Sequence, residues 1–284
     1  MFISKLFACD SAGRVLHTLP ESNAVLGVTS VDNQLYMLRY RRSGQIEVYN
    51  KESYRLQYCL TIRALEAMAD IASCGHNHCL YISGFTDKCI HRVQLSDMAA
   101  VKWQLNGYTS GLSVTDSHTL LASCLNSCKI KEFTTDGELL RQIQLPQDMT
   151  SLQHAVQLPS GRFIVCHGGP DDLLHRVCLI GCDGNVIQSY GGKYGIGTHQ
   201  LGMPTHLAVD GNESVFVADF NNSRVLSLSP SLTYTDEVLS SEQVKWQPRR
   251  LFLDADRGRL YVAENEVKRG SKFAGGRVVV VNYS

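Results

Sequence analysis

One short arrangement of apolar and polar residues recurs along the whole chain. An apolar strand is followed by a turn rich in Asp, Asn or Gly, and then by a second, strongly apolar strand. A third strand alternates apolar and polar residues, as half-buried strands do, and a polar turn leads to a fourth. The central residues of the six second strands are Tyr36, Tyr81, Leu121, Ile164, Phe216 and Tyr261.

The spacing of these strands predicts the fold. Their central residues follow one another at intervals of 40 to 52 residues. A four-stranded unit repeated at that period is typical of the blades of a β-propeller. We therefore predict an all-β fold, a six-bladed β-propeller of four-stranded antiparallel blades, as a single domain over 1–284. The blades are expected at 26–62, 67–105, 109–145, 151–190, 201–240 and 246–284.

The two ends of the chain complement each other. The last repeat stops after its third strand, at Val281, whereas the N-terminal region supplies an unpaired strand at 13–19. We expect this N-terminal strand to complete the sixth blade. Such a closure leaves no sheet edge open to other chains.

Composition narrows the class of protein only modestly. Lys plus Arg and Asp plus Glu both number 27 in 284 residues, so the chain has no overall preference for polyanions. No export signal or membrane-spanning run is evident, so a membrane partner is not expected. Several of the ten cysteines, among them Cys59, Cys166 and Cys178, lie in apolar strands. We interpret them as reduced, and the protein as cytoplasmic.

The fifth repeat has the most distinctive residues. Ala-Val-Asp ends at Asp210, Val-Ala-Asp ends at Asp219, and Asn222 and Arg224-Val follow. This series resembles the NHL repeat, and the resemblance extends by spacing over about 14–284. In the sixth repeat Glu264 stands at the position of Asp219. In the other repeats that position is held by Arg39, Gly84, Cys124 and His167.

The resemblance implies a function. NHL propellers are best known as C-terminal domains of tripartite-motif ubiquitin ligases, where they recognise target proteins or single-stranded RNA. RING and B-box zinc motifs are absent from this sequence, so it is expected to be the recognition module, a monomeric domain. We interpret the repeat-motif residues as structural: Asp219 and Arg224 brace a tight loop, and Asp210 serves its own turn.

Propeller connectivity sorts the loops onto two faces. The connection face carries the loops between second and third strands together with the blade-to-blade connections, and the turn face carries the remaining loops. A predicted ligand-binding set on the connection face combines cations with an aromatic residue. Its members are Arg39, Tyr40, Arg41, Arg42, Arg249, Arg250, Lys268, Arg269 and Lys272.

Several ligands suit such a set. Single-stranded RNA requires cations for phosphates and ring faces for stacking. An acidic or phosphorylated segment of a protein partner suits the same residues. Long exposed loops are also often basic for solubility alone. The sequence leaves these alternatives open.

Catalysis is the rival interpretation. Propeller enzymes of the lactonase, arylesterase or peptide-amidating-lyase type hold a metal in the central channel, and His154 and His206 occupy comparable first-strand positions. Two histidines without an identifiable third ligand are more typical of channel lining. The segment from Cys74 to Cys79 is too short to direct four donors to one point. We therefore predict a binding module with no catalytic residues and no cofactor, and keep a channel-metal enzyme as the alternative.

Overall fold

A ring of six antiparallel four-stranded sheets makes up the described part of the protein. The computed structural model describes residues 13–40, 45–62, 68–84, 86–268 and 274–283. Its strands form six sheets in which neighbours in sequence are neighbours in space, apart from the N-terminal strand. The predicted six-bladed β-propeller is thereby confirmed.

The strands of the first three blades have the following bounds. Blade 1 comprises β2 (Val25–Val31), β3 (Gln34–Arg39), β4 (Gln45–Asn50) and β5 (Leu56–Thr61). Blade 2 comprises β6 (Met68–Cys74), β7 (Cys79–Gly84), β8 (Cys89–Gln94) and β9 (Ala100–Gln104). Blade 3 comprises β10 (Thr109–Val114), β11 (Leu120–Cys124), β12 (Lys129–Phe133) and β13 (Leu139–Gln144).

The remaining blades follow the same order. Blade 4 comprises β14 (Leu152–Gln157), β15 (Phe163–His167), β16 (Leu174–Ile180) and β17 (Val186–Lys193). Blade 5 comprises β18 (Pro204–Val209), β19 (Val215–Asp219), β20 (Arg224–Leu228) and β21 (Tyr234–Leu239). Blade 6 comprises β22 (Gln247–Asp254), β23 (Arg259–Glu266), β24 (Gly275–Asn282) and the N-terminal β1 (Val15–Thr18). Two short 3₁₀ helices lie at Phe220–Asn222 and Ala255–Arg257.

The second strands are the core of each blade because sheets on both sides cover them. Every residue of β7 and β11 is buried, and so are the aromatic centres Tyr81 and Tyr261. Burying one large aliphatic side chain of such a strand contributes about 1.5–3 kcal/mol. The fourth strands face solvent instead, with Leu56 and Val101 more than half exposed. Hydrophobic burial is therefore concentrated between blades.

The N-terminal strand closes the ring as the sequence predicts. Strand β1 pairs antiparallel with β24, with Val15 opposite Val281 and Thr18 opposite Val279. The amide of Leu19 donates to the carbonyl of Val278 at 2.8 Å and prolongs the ladder. Since the first and last parts of the chain share one sheet, the ring cannot open without breaking these hydrogen bonds. Among the described residues, no helix has the length and apolar character needed to cross a membrane.

Candidate functional site

All six first strands shift register near their start. In each blade a bulge separates the first paired residue from the next one, so the residue that follows the bulge is equivalent in all six. We call these six residues the channel layer, because those from different blades meet at the centre of the ring. The channel layer consists of Gly27, Asp70, Gly111, His154, His206 and Arg250.

Asp70 is the hub of the channel layer. Its carboxylate accepts from Nε of Arg250 at 2.9 Å and from the amide of Leu112 at 2.9 Å. The guanidinium of Arg250 also donates to the carbonyls of Ala69 and Ser110, at 3.2 and 2.9 Å. One buried ion pair thus connects blades 2, 3 and 6. Sequence reasoning missed Asp70 entirely.

The two predicted histidines lie in the same layer and stack, with 3.7 Å between ring centroids. Nδ1 of His154 accepts from the amide of Leu207 at 3.4 Å, so Nε2 carries the proton and donates to the carbonyl of Leu112 at 3.1 Å. Nδ1 of His206 accepts from the amide of Leu251 at 3.3 Å. Asp70, His154 and His206 therefore share one role, because each accepts from the amide that follows the layer residue of the next blade.

Glycine at two layer positions makes room for these side chains. A Cβ atom at Gly111 would lie 2.6 Å from Cδ2 of His154. A Cβ atom at Gly27 would lie 2.6 Å from Cγ2 of Ile71 and 3.1 Å from Oδ1 of Asp70. The layer packs four polar side chains because two blades contribute none.

Burial and charge determine the protonation states of the layer. Burial by itself would raise the pKa of Asp70, but the Arg250 guanidinium and the nearby His206 ring, 3.8 Å from the carboxylate, hold that pKa below its usual range. Burial lowers the pKa of His206, and burial together with the neighbouring His206 ring lowers the pKa of His154 further. At neutral pH the layer therefore holds one ion pair and two neutral imidazoles.

The layer superficially resembles a metal site. Ligand-type atoms of Asp70, His154 and His206 all lie within 4.8 Å of one another. Both ring nitrogens of His154 are already hydrogen-bonded, and the Arg250 guanidinium occupies the carboxylate. A metal ion would have to break these bonds and lie beside a buried cation. The residues do not fit a channel metal in this arrangement, and we derive no chemistry from one.

Two of the predicted ligand-binding residues are buried, which corrects that part of the prediction. Arg39 is 1% exposed, pairs with Glu47 at 2.9 Å and donates to the carbonyls of Asn23 and Gly276. Arg250 is 3% exposed and belongs to the channel layer. Both guanidiniums are buried and hydrogen-bonded inside the fold, so neither can contact a ligand on the surface.

The other predicted members differ in their surroundings. Tyr40 is 48% exposed on the connection face. The side chain of Lys268 is exposed and lies 3.5 Å from the carboxylate of Glu266. Arg249 is half-buried, and burial together with Arg250 lowers its pKa. The remaining four lie outside the described residues: Arg41, Arg42, Arg269 and Lys272.

Two of the repeat-motif residues of blade 5, Asp219 and Arg224, form a fastening pair that holds the incoming chain. The buried carboxylate of Asp219 pairs with Arg224 at 2.8 Å and accepts from the amide of Gly202 at 2.6 Å, just before β18. Asp210 accepts from the amides of Asn212 and Ser214 in its own turn. These contacts are internal to the fold.

Other blades use different chemistry at the Asp219 position. In blade 6 Glu264 pairs with Arg277 at 2.8 Å and accepts from the amide of Lys245. Blade 1 reverses the charges, because Arg39 donates to carbonyls of the incoming segment and pairs with Glu47. In blades 1, 5 and 6 a polar side chain at this position thus bonds the backbone that enters the blade, and the residue type differs from blade to blade.

Exposed apolar side chains are distributed unequally between the two faces. Outside the solvent-facing fourth strands, the described residues place one large exposed apolar side chain on the turn face, Met98. The connection face carries these: Tyr40, Leu173, Tyr194, Ile196 and Val267. Sequence analysis overlooked this apolar set because single apolar residues in loops have no period.

Comparisons with known proteins support the fold and go no further. No model of a protein family matches the chain, and no curated protein matches it. Among solved structures, virginiamycin B lyase from Staphylococcus aureus has a TM-score of 0.62 at 12% identity, over 86% of this chain and 80% of that one. Kuenenia stuttgartiensis hydrazine synthase has a TM-score of 0.62 at 12% identity, over 88% of this chain and 95% of that one. The Cps50 (Swd1) β-propeller domain from Myceliophthora thermophila has a TM-score of 0.64 at 11% identity, over 95% of this chain and 99% of that one.

These similarities show a propeller only. Identities this low carry the fold, and the same fold serves unrelated functions. The group includes a lyase and a domain not described as an enzyme, so it leaves catalysis open. Neither the NHL assignment nor the link to tripartite-motif ligases is shown by them.

Proposed function

We propose that this propeller is a recognition module that binds a protein partner with its connection face. The observation that carries the proposal is the apolar set on that face. Leu173 is 83% exposed and Ile196 is 79% exposed. Exposed apolar side chains that cluster on one face of a domain are typical of protein-binding surfaces.

The apolar set centres on blade 4. Strands β16 and β17 are seven and eight residues long, and their pairing extends to Leu174 opposite Lys193 at the connection face. Leu173 and Tyr194 therefore lie beside each other at the end of this hairpin. Tyr194 also packs edge-on against His175, with 5.3 Å between centroids. The open end of this hairpin and the connection that follows it therefore offer a partner the side chains of Leu173, Tyr194 and Ile196.

The charges of the connection face favour protein over RNA. Five cations on this face each lie within 4 Å of a carboxylate: Arg176, Arg224, Lys245, Lys268 and Arg277. A cation that already neutralises a carboxylate has less to gain from a phosphate. The two most deeply buried members of the predicted basic set are also unavailable, since Arg39 and Arg250 pair inside the fold.

The proposal includes the NHL relationship and a cytoplasmic location. The fifth repeat supports an NHL-like origin through Asp210, Asp219 and Arg224, and such an origin favours a target-recognition role in a ligase of the tripartite-motif type. The cysteines in apolar strands support a reducing compartment. We do not assign a catalytic activity, because the channel layer offers no open metal position.

Partner capture with matched variants tests the proposal. The double variant Leu173→Asp/Ile196→Asp should lose a protein that the wild-type propeller captures from cell extract. The recombinant partner should then bind the double variant at least 10-fold more weakly in calorimetry, since each lost apolar anchor costs about 1–2 kcal/mol. Met98→Asp, on the turn face, should bind normally.

A parallel assay separates the RNA alternative. A pool of random single-stranded RNA is titrated at two salt concentrations with wild-type protein and with the variant Arg41→Glu/Arg42→Glu/Lys268→Glu/Arg269→Glu. Salt-sensitive binding that this variant loses, with no protein lost by the Leu173/Ile196 variant, would replace our proposal by RNA recognition.

A further inference from the structure

Blade 2 lacks the fastening pair of blade 5. Gly84 stands at the position of Asp219, and Cys89 is paired with it across the strands as Arg224 is with Asp219. A Cβ atom at Gly84 would lie 1.9 Å from Oδ1 of Asp87. The Asp87 carboxylate therefore fills the space that a side chain at Gly84 would occupy.

Three different donor groups converge there. Cys89 and His91 alternate along β8, so their side chains share one face of that strand, and Asp87 reaches the same side chains from the loop before β8. Sγ of Cys89 lies 3.1 Å from Nε2 of His91, which lies 3.4 Å from Oδ2 of Asp87. All three donor atoms lie within 4.8 Å of one another.

We propose that Asp87, Cys89 and His91 form a zinc site. Donors about 2.0–2.3 Å from a tetrahedral zinc ion are roughly 3.3–3.6 Å apart, close to the separations seen here. A thiolate and an imidazole favour zinc over magnesium or calcium, which prefer oxygen ligands. One thiolate and one carboxylate also balance the charge of Zn²⁺.

The differences from the channel layer support this choice. No guanidinium touches the blade 2 donors among the described residues. Oδ1 of Asp87 is buried without a hydrogen-bond partner, whereas both nitrogens of His154 in the channel layer are occupied. The cation facing Asp87 is Lys102, at 2.9 Å, and its half-exposed side chain can swing into solvent.

A reactive thiol is the competing interpretation of the same residues. Cys89 and His91 are 0% and 1% exposed, so a substrate cannot reach the sulfur. A cysteine thiol without a metal ion keeps its proton at neutral pH, so the metal ion must replace that proton. Zinc binding forms the Zn–S bond, breaks the S–H bond and releases that proton to the buffer.

Cobalt substitution tests the site. The chelator-treated protein is titrated with Co²⁺, which produces a thiolate-to-metal absorption band when a cysteine sulfur binds it, and then with Zn²⁺. We expect one Co²⁺ per chain, displacement of the band by zinc, and release of one proton per zinc bound. Cys89→Ser should abolish the band and weaken metal binding more than about 100-fold, since even outer-shell partners contribute 10- to 100-fold.

Two further variants discriminate between sites. Cys74→Ser, an equally buried cysteine in the same blade beside His76 and His78, should keep the band. Lys102→Ala removes the competing cation at an exposed position and should tighten zinc binding about twofold to fivefold. The proposal fails if the band is absent, if Cys74→Ser abolishes it, or if Lys102→Ala leaves the affinity unchanged.

Discussion

Blade 5 and blade 2 differ at the point where the second strand passes into the third. In blade 5 the carboxylate of Asp219 is buried and pairs with Arg224, and it accepts from the amide of Gly202. In blade 2 the equivalent residue, Gly84, has no side chain, and the carboxylate of Asp87 from the following loop occupies the space where that side chain would lie. The difference shows that the fold tolerates different residues at this position. In blade 2 Cys89 and His91 therefore lie beside the carboxylate of Asp87.

Both blades also contribute to the channel layer, with Asp70 from blade 2 and His206 from blade 5, and the largest effect is expected there. Asp70→Asn keeps the shape of the side chain but leaves Arg250 buried without a counter-ion. The free energy of unfolding should fall by about 3–5 kcal/mol, measured by urea denaturation. The exposed Asp116→Asn should change it by less than about 0.5 kcal/mol.

A double variant sharpens this test. Asp70→Asn combined with Arg250→Met removes both charges, and it should recover most of the loss because no unpaired buried charge remains. If the double variant is no more stable than Asp70→Asn alone, the ion pair is not the reason for the layer's stability.

The next largest loss in the free energy of unfolding is expected at Asp219 in blade 5, and a smaller one at Asp87 in blade 2. Asp219→Ala in blade 5 removes the counter-ion of Arg224 and the acceptor for Gly202, and it should cost about 2–4 kcal/mol. Asp87→Ala in blade 2 should cost less than half as much, because its partner Lys102 is half-exposed and solvent screens the pair. Thermal or urea unfolding of both variants provides the comparison. Equal losses would mean that blade 2 is fastened as tightly as blade 5.

The fold followed from sequence because it depends on repeated patterns. Six apolar second strands at similar intervals define six blades. The unpaired strand at 13–19 can then complete only the sixth blade, which lacks a fourth strand. Residues that act singly leave no such pattern. Asp70 and Arg250 are recognisable only after the six first strands are aligned at their bulges, and the bulge is a feature of pairing rather than of local sequence.

The sites divide in the same way. His154 and His206 were found because histidine is conspicuous, yet their hydrogen bonds to Leu112, Leu207 and Leu251 could not be inferred without the ring. Cys89 and His91 did carry a signal, since alternate residues of a strand share a face, whereas Asp87 lies in the loop before β8 and comes close to His91 only in the folded chain. Arg39 was wrongly predicted to be exposed, because an arginine at the end of a strand is usually on the surface. In the structure it is buried and forms an ion pair with Glu47 on the neighbouring strand.

Acid should destabilise the protein through its buried histidines. Burial holds the pKa of His206 in blade 5 below its usual value of 6.5, so the unfolded chain binds protons more readily as the pH falls below 6.5. The free energy of unfolding should then fall by up to about 1.4 kcal/mol per pH unit for each such histidine. His206→Gln should make this decline between pH 6.5 and 5 less steep. An unchanged slope would remove His206 from the explanation.

A small change in stability is expected at Gly84. The backbone there does not require glycine, because its φ angle lies outside the left-handed region. Gly84→Ala places a methyl group where Oδ1 of Asp87 now lies, so the carboxylate must move towards solvent and Lys102. We expect a loss of about 1 kcal/mol, because a small group fills the vacated space. Cobalt binding should nevertheless weaken at least 10-fold, since one of three donors is displaced. Gly75→Ala in the same blade, where no atom lies within 4 Å of the added carbon, provides the control. If Gly84→Ala binds cobalt as well as Gly75→Ala does, Asp87 is not a ligand, and blade 2 differs from blade 5 in packing alone.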